Sequence, residues 1–467
     1  MKRFAASALS GWLLCLPALA PAQETKADPK ADAKTIQALE KRLADQEKRL
    51  ADLERQLSDN RLSQAQRDEI VKLVKELNAD AAKQSALPGW MKDLNFAGDL
   101  RLRYQGQCFN DDTKTRNRGR FRLRFGLDKK FLDGDMEVGF RLASGETRSV
   151  GRISGGQFAG GPIGQDPTHT NQSFTDNFSR KPIWIDLAYA RYSPKEIKGL
   201  SGVVGKMLTP MVHTDMMWDA DLNPEGVYAQ YKAPLGSFQP FIGSGYFVAQ
   251  ESAAGHDAVL AAYQTGFDWD IARTLRGGQK PDPNQKTFGT LLWTSALTYY
   301  DWDHLDAAFA PGTTNAVNLG NPTLNNVLTA GQFQILNFTQ KFAFDVCGID
   351  VAPFFDFAHN CGDEDTSEEF DNQDNAYNVG FIVGRNKKQG DLSFGYRYAY
   401  IEANAVPGAF TESDFGGANR KGHVWRVVYN LADFLTVGAT LFWTEPIAGP
   451  LEDQRRADLR ADMIWKF

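Results

Sequence analysis

The chain has 467 residues, with 52 Lys and Arg against 58 Asp and Glu, a formal charge of −6. That balance argues against a nucleic-acid partner. A mean hydropathy of −0.42, with no long apolar run beyond residue 22, excludes a helical membrane protein. A membrane barrel is not excluded, because alternating strands leave little hydropathy signal.

The N-terminus reads as an address. Lys2 and Arg3 precede an apolar run from Phe4 to Leu16, and Ala20-Pro21-Ala22 forms a small-residue cleavage box, so residues 1–22 are expected to be a secretory signal peptide. Residues 23–35 are a flexible lead-in of Ala, Lys, Asp and Pro. Ile36, Leu39, Leu43, Gln46, Leu50, Leu53 and Leu57 then follow alternating steps of three and four, the seam of a short coiled coil. A second helix is expected from Ser63 to Lys83, opened by the capping box Ser63 to Gln66. Together they make a helical region over 36–87, closed by Pro88-Gly89.

From Leu94 the period changes to two. Leu100, Leu102 and Tyr104 alternate with Asp99, Arg101 and Arg103. The next segment is the most regular: Arg118, Arg120, Arg122 and Arg124 interleave with Phe121, Leu123 and Phe125. A strand sends successive side chains to opposite faces, so one face is guanidinium and the other apolar. Asp133-Gly134 supplies a tight turn, and Met136, Val138, Phe140 and Leu142 alternate with Glu137, Gly139, Arg141 and Ala143 on the return. After a Gly-rich stretch over 146–181, further strands are expected near 183–191, 202–208, 227–232, 238–248, 258–270, 287–302, 332–346 and 349–357. The last five fall near 376–385, 392–402, 423–430, 434–443 and 458–467.

That makes about sixteen strands, joined alternately by short turns and long loops, as a closed up-and-down barrel requires. The connection 271–286 breaks the alternation: it is long where a turn is due. In the final strand Leu459, Ala461, Met463, Trp465 and Phe467 share an apolar face, while Asp458, Arg460, Asp462 and Lys466 share the other, with Ile464 the exception. An aromatic end of this kind resembles the mark by which barrel-insertion machinery selects outer-membrane barrels. The fold class expected is therefore all-β: a closed antiparallel transmembrane β-barrel of about 16 strands over 94–467, preceded by the helical coiled coil.

Closure turns the apolar faces to lipid and the polar faces to a lumen too wide for side chains to fill. Arginine facing lipid at mid-membrane would cost about 2–4 kcal/mol, so Arg101, Arg103, Arg118, Arg120, Arg122, Arg124, Glu137 and Arg141 are the expected pore-lining set. Tyr189, Tyr192, Trp293, Trp425, Tyr429, Trp443 and Trp465 fit interfacial girdles. The loop 146–181 is long enough to fold into the lumen as a constriction loop, its acids facing the basic wall. The acidic loop 361–374 lacks the spacing of a calcium loop, and no cofactor, metal or catalytic residue is assigned. Cys108, Cys347 and Cys361 are expected as free thiols, a Cys108–Cys361 bridge being the alternative. The six histidines are scattered, with no HExxH and no GxSxG motif.

Gly98-Asp99-Leu100-Arg101-Leu102-Arg103-Tyr104, Arg120 to Arg124, Phe140 to Gly145, Asp186 to Ala190, Gly205-Lys206-Met207 and above all Trp218 to Gly226 resemble the putative porin family of Gram-negative bacteria. The resemblance implies a passive outer-membrane pore with no catalytic residues. In plan the chain is also similar to phosphate-selective porins, which keeps an anion-selective pore as the alternative. A barrel enzyme, and a cell-wall tether or adhesin, are alternatives of another class. Expected partners are outer-membrane lipid, the insertion machinery through Phe467, two further copies in a homotrimer, and peptidoglycan or periplasmic proteins near the helices.

Overall fold

The computed structural model describes residues 94–467, except 111–114, parts of 150–166, 176, 253–254, 279–289, 306–319, parts of 325–330, 363–369 and 450–451. The signal peptide, lead-in, coiled coil and second helix expected over 1–87 lie outside the described residues, as do residues 363–369 of the acidic loop.

Sixteen long strands form one antiparallel sheet. In chain order they are β1 Leu94–Phe109, β2 Arg116–Phe131, β3 Met136–Ser144, β4 Ile183–Tyr192, β5 Leu200–Lys206, β6 Glu225–Lys232, β7 Phe238–Gln250 and β8 Ala258–Asp270. There follow β9 Leu291–Asp303, β10 Phe333–Val346, β11 Ile349–Asn360, β12 Asn375–Gly384, β13 Leu392–Ile401, β14 Arg420–Ala432, β15 Leu435–Pro446 and β16 Arg456–Lys466. Each pairs with its sequence neighbour, and β16 returns to β1 in register from Asp99↔Lys466 to Phe109↔Arg456. The sheet is therefore closed.

The seam is finished by two hydrogen bonds. The Gly98 amide donates to the Phe467 carbonyl (2.8 Å), and the Phe467 amide donates to the Gly98 carbonyl (3.1 Å). A Cβ on Gly98 would lie 2.6 Å from both the Arg124 carbonyl and the Phe467 ring. Gly98→Val should therefore weaken closure by about 1–3 kcal/mol, seen as a lower temperature for loss of the folded band in detergent gels. An unchanged transition would mean that this seam does not limit barrel stability.

The turns carry the backbone their residues favour. Asp133 and Gly134 have φ of 53° and 99°, and Cys347 and Gly348 have 54° and 85°, as tight hairpins need. The long connection after β8 is an insertion on the turn side: the strand boundary stands, and the single helical turn α1, Ile271–Leu275, follows at once. Cys108, Cys347 and Cys361 are exposed and free.

The two faces are inverted relative to a water-soluble sheet. Leu459 is 47% exposed, while its neighbours Asp458 and Arg460 are 0% and 2% exposed. The same holds around the wall: Leu102, Ile242, Phe338 and Phe355 point out, and Gln105, Asn337, Thr339 and Asp356 are buried inside. An outward ring cluster of Phe267, Trp269, Trp293 and Phe342 marks the turn end, and Tyr396, Tyr398, His423 and Trp425 form another on β13 and β14. Amphipathic rings settle at such levels in a bilayer.

Tyr189 does not join them. The register between β3 and β4 shifts between Arg141 and Leu142, leaving Asp186 as the extra residue. Such a bulge reverses the side-chain parity beyond it. Ile183 and Ile185 point out, but Tyr189 turns inward, where its ring packs 2.8 Å from a Cβ built on Gly139 and its hydroxyl donates to Glu137 (2.8 Å). The bulge is why Tyr189 leaves the girdle expected of it.

Candidate pore constriction

The interior wall is built by β1, β2 and β16. Register places Arg101 opposite Arg122 and Arg103 opposite Arg120, an arrangement that alone would repel. Carboxylates intercalate to offset it. Asp99 accepts from Arg122 (2.7 Å) and Arg124 (2.8 Å), and Asp462 accepts from Arg103 (2.7 Å). Gln105, fully buried, bridges the two signs: its amide nitrogen donates to Asp458 (2.8 Å), and its carbonyl accepts from Arg118 (2.9 Å) and Arg120 (3.2 Å).

Three loop segments fold inside the barrel against this wall. The connection 207–224 crosses the lumen. The Val212 amide donates to Gln264 (3.0 Å), Thr214 donates to Asp356, and Lys341 donates to the His213 carbonyl. Met207, Met216 and Trp218 on this connection are buried, and Trp218 donates to the Tyr300 hydroxyl (3.3 Å) and stacks on Phe410. Phe410 belongs to the second segment, 402–419. Asn321 clamps that segment, donating to the Ala403 and Val406 carbonyls (2.7 and 2.9 Å). The two segments are tied by the Asp219 amide donating to Phe410 (2.8 Å), Glu412 to Asp215 (3.0 Å), and the Ser413 amide to the Asp219 carboxylate (2.9 Å). The third segment, 168–173, is held by Ser144 donating to the Thr170 carbonyl (3.0 Å) and by pairing of Gln172–Ser173 with β2.

These segments carry acids to the arginines. Asp221 lies 3.6 Å from Arg122 and 3.5 Å from Arg124. Asp414 faces Arg103 at 3.5 Å and pairs with Arg460; Glu146, just past β3 and outside these segments, lies 3.6 Å from Arg120. Two acids of one loop are driven apart. Burial pushes Asp219 up to about 7, aided by the charge of Asp221. Burial acts the same way on Asp221, but Arg122, Arg101 and Arg124 outweigh it and hold its carboxyl below the usual range.

Of the eight residues chosen from sequence, Arg101, Arg103, Arg118, Arg120, Arg122 and Arg124 converge on one wall, on the face opposite the exposed apolar residues. Arg141 sits on β3, with its Nε 2.5 Å from Asp186. Glu137 stands apart near the turn end with Tyr189 and Arg191. Of the loop 146–181, the described stretch 168–173 is deeply seated; the segments 207–224 and 402–419, which no expectation named, fold in beside it. The missed signal was composition. A loop holding Met207, Met211, Met216, Met217 and Trp218 is too apolar to stand in water. Arg397, Arg426, Arg460 and Lys466 fall outside the expected pore-lining set, because none belongs to an every-second-residue run of cations like Arg118 to Arg124. Among the described residues no group of His, Cys, Asp and Glu could hold a metal.

A closed sixteen-stranded barrel, apolar outside and charged inside, with loops folded into its lumen, defines an outer-membrane β-barrel of the porin class. The chain belongs to the family described as "Putative porin", whose model matches residues 17–116, 110–277 and 299–460. Family and fold together indicate a channel protein of the bacterial outer membrane. Among solved structures, the chain is similar to OprB of Pseudomonas putida in its high-pH form (14% identity, 81% of this chain and 95% of that one, TM-score 0.47). It is also similar to Salmonella typhi OmpF in complex with daunomycin (10% identity, 80% and 97%, TM-score 0.44). A mutant Rh. blastica porin gives 10% identity, 80% and 100% coverage and a TM-score of 0.40. No curated protein matches the chain.

Proposed function

We propose that this protein is a general-diffusion porin whose constriction is charge-balanced, and that it passes ions and small hydrophilic solutes with a modest preference for anions. The observation that supports this reading is the meeting of Asp221 and Asp414 on infolded loops, and of Glu146 just past β3, with Arg120, Arg122, Arg124 and Arg103 on the wall. Opposed rows of fixed charge set a transverse field across which a hydrated solute must orient. Excess arginine favours the anion. Residues 1–22 act as the export signal and 36–87 as a periplasmic helical stalk that supports a homotrimer, the barrel itself forming a domain over 94–467. No catalytic step is assigned.

Purified protein in a planar bilayer should give stepwise ohmic conductance, and a protein that inserts without conducting would reject the pore. In a KCl gradient the reversal potential should report a permeability ratio moderately in favour of chloride. Replacing Arg120, Arg122 and Arg124 with Gln should move that ratio to unity or below. An unmoved ratio would remove those side chains from the ion path.

A further inference from the structure

The lumen is not evenly filled. Towards the loop end Arg120 and Arg460 are nearly inaccessible, each 2% exposed. Towards the turn end the wall opens into a cavity of about 490 Å³ lined by Arg122, Arg124, Arg141, Arg426 and Lys466, with Asp99 and Asp462 as its acids. Both acids are already engaged, Asp99 by Arg122 and Arg124 and Asp462 by Arg103. Arg141 is taken by Asp186. Arg426 and Lys466 differ: among the described residues neither side chain has a hydrogen-bond or ion-pair partner. Arg426 lies between buried Val424 and Val428 on the inward face of β14, yet is itself exposed. It projects into open lumen rather than into a packed wall.

We infer that this turn-end cavity is a binding site for small oxyanions, carboxylate- or phosphate-bearing solutes, with Arg426 and Lys466 as the free donors. A guanidinium presents two parallel N–H groups to an oxyanion, and an ammonium adds a point charge. The cavity supplies a net positive surround, and its volume suits a small metabolite rather than a polymer. The inference rests on the reading of the lumen as aqueous. It adds that permeating anions pause at the turn end instead of passing a uniform field.

The test separates the two. Calorimetric titration of the detergent-folded protein with inorganic phosphate, and separately with succinate, reads the site without requiring conduction. Saturable binding of at least one is expected, weakened about tenfold or more by the double variant Arg426→Gln with Lys466→Gln, while conductance in plain KCl persists. Neither side chain holds the wall together, so the variant should fold. Lys195→Gln, which removes a charge on a turn outside the cavity, should leave affinity unchanged. Which probe binds more tightly distinguishes phosphate from carboxylate as the ligand. Equal affinity in wild type and the double variant, or no saturable binding of either probe by a conducting protein, would overturn the site and leave the porin reading standing. Binding without conductance would do the reverse.

Discussion

Replacing residues 211–222 with a short Gly-Ser linker should leave the barrel folded and raise single-channel conductance severalfold. The segment lies inside the lumen with Met216 fully buried and Trp218 3% exposed, so its volume is subtracted from the conducting cross-section. Its removal leaves the backbone ladders of the wall in place, although Gln264, Asp356 and Lys341 lose their partners on the loop. The β5–β6 ladder runs from Leu200↔Tyr231 to Lys206↔Glu225 without it, and linker length costs little entropy once the strands are paired. The second segment, 402–419, would lose the stacking of Phe410 on Trp218 and the bond from Ser413 to Asp219. It keeps the Asn321 clamp, so excising both should raise conductance further than either alone. Selectivity should shift as well, because Asp221 leaves while Arg122 and Arg124 remain. A folded deletion protein with wild-type conductance would show that the resistance lies elsewhere.

Seating of the same loop should weaken as pH rises from about 4 to about 7, and then level off. Asp219 titrates near the usual aspartate value of 3.8 when released to water, but burial and the neighbouring Asp221 raise it to about 7 in place. Across that window the seated loop holds a proton that the released loop does not. By linkage, seating then loses about 1.4 kcal/mol per pH unit. Below the window both states are protonated and above it neither is, so the dependence is confined to it. Asp221, held low by its arginines, stays ionised throughout. The measurement is the rate of protease cleavage within 207–224, or the frequency of conductance steps, between pH 4.5 and 8. Both should increase with pH and flatten in Asp219→Asn. An Asp219→Asn protein with an undiminished slope would place the titrating group elsewhere.

The barrel was legible because its evidence is local. Period-two alternation in Arg118 to Phe125 and in Asp458 to Phe467, the Asp133-Gly134 and Cys347-Gly348 turns, and the alternation of short and long connections are all readable within a few residues. The strand 183–192 was legible as a strand, but its bulge at Asp186, which turns Tyr189 inward, came only with the register. The candidate site was half legible. A ladder such as Arg120, Arg122 and Arg124 declares a shared face by spacing, but cations outside such a run, such as Arg426 and Lys466, do not declare a site, and pairing across 311 residues between Arg103 and Asp414 leaves no mark in either neighbourhood.

By itself, then, the order of residues determined which side chains share a face wherever the pairing is regular, how many strands there are, and that the sheet must close, since a bilayer tolerates no unpaired edge. Only the tertiary structure decided which loops enter the lumen, which acids meet which arginines, and where the cavity is left. Those outcomes depend on shape and charge matching between segments far apart in the chain. Such contacts form only once the wall exists to hold them.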